Sequence, residues 1–208
     1  MTNEKSPTTE AKRLEALWSG KFGDAYVERN RQAGNVRGPF WEMILREFPS
    51  RSVLEVGCNL GANLTWLAKA LPPERVYGVD VNAAALRELR HHVPDINALL
   101  VPARSLPFRD AWFDLTFTMG VLIHQPEQTL PLVMAEIHRC ARRWILCGEY
   151  FAEATVEVPY RGELGALFKR DYGRIYQELF PDLQLRKQGF LGKDQGWDDI
   201  TYWIFEKP

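Results

Sequence analysis

Cysteine is scarce in this chain: Cys58, Cys140 and Cys147 are the three among 208 residues. An odd count without a CxxC pair excludes a disulfide framework and a cysteine-based zinc site, and fits a reducing cytoplasm. No metal site is expected. Net charge is scarce as well. Lys and Arg number 26 against 27 Asp and Glu, a formal charge of −1, which argues against nucleic acid held through its phosphates. Long apolar runs are missing: nothing approaches the roughly 18–20 residues of a membrane span, and MTNEKSPTTEAKR has no secretion-signal core. The expectation is therefore a cytoplasmic protein with a small-molecule partner and neither a nucleic-acid nor a membrane partner. Oligomeric state is left open.

What the chain does have is an ordinary globular balance, 46% hydrophobic and 25% charged residues, enough for one domain with its own core. Residues 1–10 are polar and read as a disordered lead, and 11–208 as a single domain. Helices are expected at Lys12–Trp18, broken by Gly20 and Gly23, and at Pro39–Phe48. Short apolar strands then alternate with helical spacings. Strands are expected at Ser52–Val56, Arg75–Val79, Ile96–Pro102, Phe113–Met119 and Trp144–Cys147. Helices fall at Asn63–Leu71, Asn82–His92 and Leu130–Ala141. This alternation predicts an α/β fold: a doubly wound, mostly parallel seven-stranded sheet with helices on both faces. Leu185–Gly192 and Ile200–Glu206 supply the last two strands, the final one alternating in polarity and closing the sheet antiparallel. Between them and strand five lies an insertion at about 152–180, with helical spacing from Glu163 to Phe180.

Glu55-Val56-Gly57-Cys58-Asn59-Leu60-Gly61 joins the first strand to its helix, where α/β sheets bind ligands. Gly57 and Gly61 permit a tight turn and close approach of a ligand to the backbone. A dinucleotide site wants GxGxxG, and Asn59 stands where the middle glycine belongs. That departure weighs against a nicotinamide-dependent oxidoreductase. Asp80 ends the second strand, 23 residues after Gly57. An acid there can grip ribose hydroxyls, or cap the next helix, or do both.

These pieces, followed by Leu106-Pro107-Phe108 and Phe113-Asp114-Leu115, resemble the class I S-adenosylmethionine-dependent methyltransferases over residues 50–150. The resemblance implies a Rossmann-like methyltransferase fold and S-adenosylmethionine as cofactor. It implies that Glu55 and the Gly57–Gly61 loop, with Cys58 and Asn59, flank the methionine moiety. Asp80 would take the ribose, with Val81 beside it; residues 103–105, Arg104 and Ser105 among them, would flank adenine, and Met119, Gly120 and Val121 would line the sulfonium. Pro102 sits where many members carry an adenine-contacting Asp. A narrower similarity runs through Trp18-x3-Phe22-Gly23-x2-Tyr26-x2-Arg29-Asn30, Gly120–His124, Glu149–Phe151, Pro159–Gly162, Leu167–Tyr172 and Asp198–Thr201. These segments are similar to the methylases associated with pseudaminic acid biosynthesis, which implies modification of a small polar molecule.

Methyl transfer from a sulfonium needs an aligned nucleophile, exclusion of water and, for an N–H or O–H acceptor, a base. His124, after strand four, is the first candidate base; its alternative is orienting a loop. Glu149 and Tyr150 follow strand five, and Glu149 could bind an amine, act as base or pair with an Arg. Tyr160, Arg161, Lys169 and Arg170 lie in the insertion, where arginines suit a carboxylate or phosphate. Trp18, Tyr26 and Asn30 belong to a segment at about 12–38 that reads as a lid or as a helix packed on the sheet. The expected reaction is methyl transfer to a small acidic or zwitterionic metabolite. The rivals are the oxidoreductase and a non-catalytic module retaining the cofactor loop; methylation of RNA lacks its basic stripe.

Overall fold

Every residue of Val53–Val56 (β1) is buried on both sides of the strand, as expected of a strand covered by helices on both faces. β1 pairs in parallel with Val76–Asp80 (β2) and Phe113–Met119 (β4). β2 pairs with Asn97–Leu100 (β3), and β4 with Ala141–Glu149 (β5). The computed structural model describes residues 7–31 and 36–208. In it, the seven-stranded sheet has the order β3-β2-β1-β4-β5-β9-β8, where β8 is Gln184–Leu191 and β9 is Ile200–Glu206. β9 runs antiparallel to both of its neighbours. Strand order reverses between β1 and β4, so their carboxyl ends frame a crevice.

One face of the sheet carries Trp41 and Ile44 of helix α3 (Gly38–Glu47) with Leu64 and Leu67 of α4 (Leu64–Ala70) against Val53, Phe117 and Ile204. The other carries Met134 and Ile137 of α6 (Leu130–Cys140) and Tyr172 and Tyr176 of α7 (Tyr172–Leu179) against Leu54, Val56 and Phe205. Helix α5 (Ala83–His92) is capped as its sequence suggests: the Asn82 side chain accepts from the Ala85 amide at 2.8 Å, a cap worth about 1 kcal/mol.

Four local expectations are corrected. Of the expected disordered lead, 1–6 lie outside the described residues, and 7–10 form the first turn of α1 (Pro7–Ser19), with Pro7 leading it. The break before α2 (Lys21–Arg29) falls at Gly20 alone. Gly23 is buried inside α2, where a Cβ would run into the Trp18 carbonyl, so this glycine permits close packing. Residues 32–35 of the candidate lid lie outside the described residues. The insertion is helical only in α7. Arg161, Gly162 and Gly165 all have positive φ (52°, 87° and 64°), which stops a helix. The chain pairs instead as a small hairpin of Val156–Glu157 (β6) with Phe168–Lys169 (β7). Finally, β9 does not alternate in exposure: its central residues are buried on both faces because it lies between β5 and β8, and the exposed edge is β8.

Candidate functional site

The carboxyl ends of β1, β2 and β4 open onto a cavity of about 410 Å³ roofed by α1 and α2, within the range of small-molecule sites. Glu55, on the last turn of β1, is 2% exposed. Its Oε1 accepts from Asn63 Nδ2 at 2.5 Å, and its buried Oε2 has no protein partner. Burial pushes this carboxyl up to about 8, against the pull of Asn63 and of the Arg37 charge. Arg37 donates through Nη1 to Asn63 Oδ1 at 3.0 Å and stacks on Trp197 with 4.2 Å to the ring centroid. Its buried Nε has no partner, and burial lowers its pKa.

The loop after β1 is shaped by its backbone. Gly57 takes φ +76°, and a Cβ there would meet the Val121 side chain. Asn59, in place of a middle glycine, takes φ 46°, a conformation Asn tolerates better than most residues. The amides of Gly57 and Cys58 donate to Val79 O at 2.8 and 3.0 Å. Asp80 ties the next turn together: Oδ2 accepts from the Asn59 amide and Oδ1 from the Asn82 amide, each at 2.8 Å. One lone pair per oxygen remains for a ligand. Burial raises the Asp80 pKa, while these amides oppose the shift.

Beside Asp80 a slot is lined by Val81, Val101, Ala103 and Arg104. Arg104 forms a two-point ion pair with Glu15 of α1, Nε–Oε1 2.6 Å and Nη2–Oε2 3.2 Å.

On the other side Met119, Gly120 and Val121 lead into a single 3₁₀ turn, Leu122–His124. His124 is buried, and its Nδ1 lies 2.6 Å from Ala166 O. A carbonyl only accepts, so Nδ1 carries the proton and Nε2 keeps its lone pair. Burial depresses this imidazole to about 4, so it is neutral at physiological pH. Trp18 packs on His124 with centroids 4.3 Å apart, the Tyr160 ring lies 5.6 Å from His124, and Tyr26 packs against Trp18 at 5.4 Å. Asn30, Tyr150 and Arg161 also line the cavity.

Most residues expected at the site therefore converge on one cavity, and five do not. Glu149 is fully buried beneath the floor. Its Oε1 accepts from the Val121 amide at 3.3 Å and Oε2 from Ile123 at 3.1 Å. It holds the turn that carries His124 and does not reach the cavity, contrary to the expectation. Burial pushes it up to about 7. Arg170 is 3% exposed and donates to Gln125 O at 2.7 Å with its guanidinium over Phe168; it is an internal strut. Lys169 is exposed above the Tyr150 ring, 5.9 Å from its centroid, outside the lining. Ser105 is exposed, its amide donating to Pro102 O at 3.1 Å. Gly61, with φ +77°, does not face the cavity; a Cβ there would strike Leu89 of α5. Conversely, Arg37, Asn63, Glu15, Trp197 and Asp198 line the cavity without having been singled out for it. Arg37 directly precedes Gly38-Pro39 at the start of α3, and only Asp198 lay in a segment of the narrower resemblance.

Residues 53–143 match the family model described as a methyltransferase domain. The probable phthiotriol/phenolphthiotriol dimycocerosates methyltransferase 2 of Mycobacterium ulcerans (strain Agy99) is 30% identical over 112 residues, 53% of this chain and 41% of that protein. A phthiotriol/phenolphthiotriol dimycocerosates methyltransferase of Mycobacterium leprae (strain TN) is 30% identical over 94 residues, 44% of this chain and 34% of that one. The chain thus spans about two fifths or less of the length of these curated relatives. Among solved structures, the 1,6-didemethyltoxoflavin-N1-methyltransferase of Burkholderia thailandensis, with 1,6-didemethyltoxoflavin and S-adenosylhomocysteine bound, has a TM-score of 0.74 at 14% identity, covering 100% of this chain and 92% of that one. The magnesium protoporphyrin IX methyltransferase of Synechocystis PCC 6803 with bound S-adenosylhomocysteine has a TM-score of 0.72 at 14% identity, covering 95% and 99%.

Proposed function

We infer that this chain is a class I S-adenosylmethionine-dependent methyltransferase, a reading that its match to a methyltransferase domain and its fold support, and that it methylates a small acidic or zwitterionic molecule. The reading rests on a single observation: unpartnered polar groups suited to the cofactor and a neutral imidazole share one cavity. Glu55 Oε2 and Arg37 Nε are buried with no partner in the protein, where an amino-acid ammonium and carboxylate would satisfy them. Asp80 keeps acceptor capacity for two ribose hydroxyls, and Val81 and Ala103 suit a flat base. The residues present therefore fit S-adenosylmethionine. They do not suit a nicotinamide dinucleotide, whose pyrophosphate needs the middle glycine that Asn59 replaces. A non-catalytic module would have no use for the dry, unprotonated His124.

When bound, the cofactor supplies an electrophilic methyl group on a sulfonium. The chain's contribution is alignment, exclusion of water and proton acceptance. Gly120 and Val121 border the acceptor side, and Glu149 fixes their turn from below. Trp18 and Tyr26 of the N-terminal helices line this side of the cavity, and Trp18 packs on His124, which limits the access of water. His124 Nε2 would accept the proton of an acceptor N–H or O–H, while its Nδ1–H stays on Ala166 O. A carboxylate acceptor would need no base.

Charge at the acceptor side supports the substrate class. Arg161 and Arg29 line the cavity and suit an anionic group. Asp198 lines it too, its charge reaching Tyr26 and Tyr150, and takes the place that Glu149 was expected to fill toward an amine. The similarity to methylases associated with pseudaminic acid biosynthesis points the same way. The test is to incubate the chain with methyl-labelled S-adenosylmethionine and a metabolite extract separated by charge. Label is expected in an anionic or zwitterionic small-molecule fraction; label confined to apolar lipids or macromolecules overturns the substrate class.

A further inference from the structure

The slot beside Asp80 has apolar walls and one charged edge. The Val101 amide donates to Asp80 O at 3.0 Å, so the loops after β2 and β3 lie side by side, with Val81 and Ala103 both lining the cavity; a base carried on a ribose held by Asp80 would sit beside them. An adenine brings an exocyclic amine that needs an acceptor at the rim. The loop after β3 has no side chain for it: Pro102 has no polar group, and Ser105 points out to solvent. The carboxylate at this edge comes from the N-terminal helix. Glu15 lines both the main cavity and the shallow recess formed with Val81, Val101 and Pro102. Arg104 grips both of its oxygens, at 2.6 and 3.2 Å, which fixes the plane of the carboxylate and leaves each oxygen a further lone pair.

We propose that Glu15 recognises the 6-amino group of the cofactor's adenine, held in place by Arg104, so that helix α1 is part of the cofactor site. The inference rests on the reading of this cavity as an S-adenosylmethionine site. It makes the chain selective for a 6-amino over a 6-oxo purine, because an oxo group would face the carboxylate oxygen to oxygen. It also makes docking of the N-terminal helix and binding of the cofactor one coupled event, since the contacting residue lies on the roof.

Calorimetry with S-adenosylhomocysteine and its 6-oxo counterpart, S-inosylhomocysteine, tests this on the whole chain. The unmodified protein should prefer the amino ligand by about 30-fold or more. Glu15→Ala should shrink that preference to about 3-fold or less by weakening the amino ligand selectively. Glu15→Gln keeps the shape and can donate to a 6-oxo group, so it should bring the 6-oxo ligand level or ahead. Equal weakening of both ligands in Glu15→Ala and Glu15→Gln would mean that Glu15 only anchors Arg104, and overturns the inference. Unaltered preference overturns it too. If the unmodified chain binds neither ligand, the cofactor reading itself fails, and the inference fails with it.

Discussion

The two ends of the cavity are built in different ways. The end around Gly57, Asn59 and Asp80 is made of backbone: consecutive strand ends are laced by amides onto Val79 O and the Asp80 carboxylate. The end around His124 is made of side chains from remote segments. Trp18 and Tyr26 come from the N-terminal helices, Tyr160 and Arg161 from the insertion, and Trp197 and Asp198 from the turn before β9. A backbone cradle accepts one ligand geometry and tolerates little change. A wall of side chains on separate segments can vary without disturbing the sheet, which is how one fold serves many acceptors.

Substitutions at the two ends should therefore fail differently. The largest effect is expected at Asp80. Asp80→Ala removes both ribose acceptors and releases the Asn59 and Asn82 amides, so S-adenosylhomocysteine should bind about 2–4 kcal/mol more weakly. Unchanged affinity in calorimetry with an intact fold would sink the cradle.

His124→Ala should lower kcat about 10²-fold while cofactor affinity holds. Because burial keeps this imidazole near 4, its lone pair is free above that pH. Followed on the ring itself by NMR, the imidazole should stay neutral down to about pH 4. A ring that titrates near 6.5 would mean that the histidine is solvated.

Glu55→Gln probes the cradle through stability. The folded-state pKa of Glu55, about 8, lies above its unfolded value near 4.5, so its favourable contribution is complete below pH 4.5 and fades as pH rises toward 8. Relative to the unmodified apo chain, the melting temperature of Glu55→Gln should rise by a few degrees between pH 5 and 8. A pH-independent difference would show that Glu55 is not forced to ionise in a dry site.

The smallest effect is expected at exposed Arg161. Arg161→Ala should raise the acceptor KM about 5-fold and leave kcat and cofactor affinity alone. A fall in kcat instead would place it at the reacting atoms.

The same contrast explains what could be read before the structure. That Glu55, Gly57 and Asp80 meet at one cavity is legible because strand, turn and acid follow one another in the chain, and the parallel sheet fixes where strand ends go. Glu149 and Arg170 were misjudged because they hold the right positions but face away. The 3₁₀ turn at Leu122–His124 folds back over Glu149, and Arg170 turns inward to Gln125 O; no local pattern encodes either. The expected helix from Glu163 is overruled by the positive φ at Gly165, after a turn with positive φ at Arg161 and Gly162; the glycines mark it in the sequence and the arginine does not. Arg37 carries no motif at all. It reaches Asn63 because α3 packs beside α4, a tertiary fact.

The central claim is that one cavity holds the cofactor along the strand ends and delivers its methyl group to the side where His124 stands. A crystal structure of the chain with S-adenosylhomocysteine tests it most directly. The account predicts the amino-acid end at Glu55 and Arg37, the ribose on Asp80, and the sulfur facing the space bounded by Val121, His124 and Tyr160. A ligand bound with its sulfur turned away from His124, or bound outside this cavity, would contradict it.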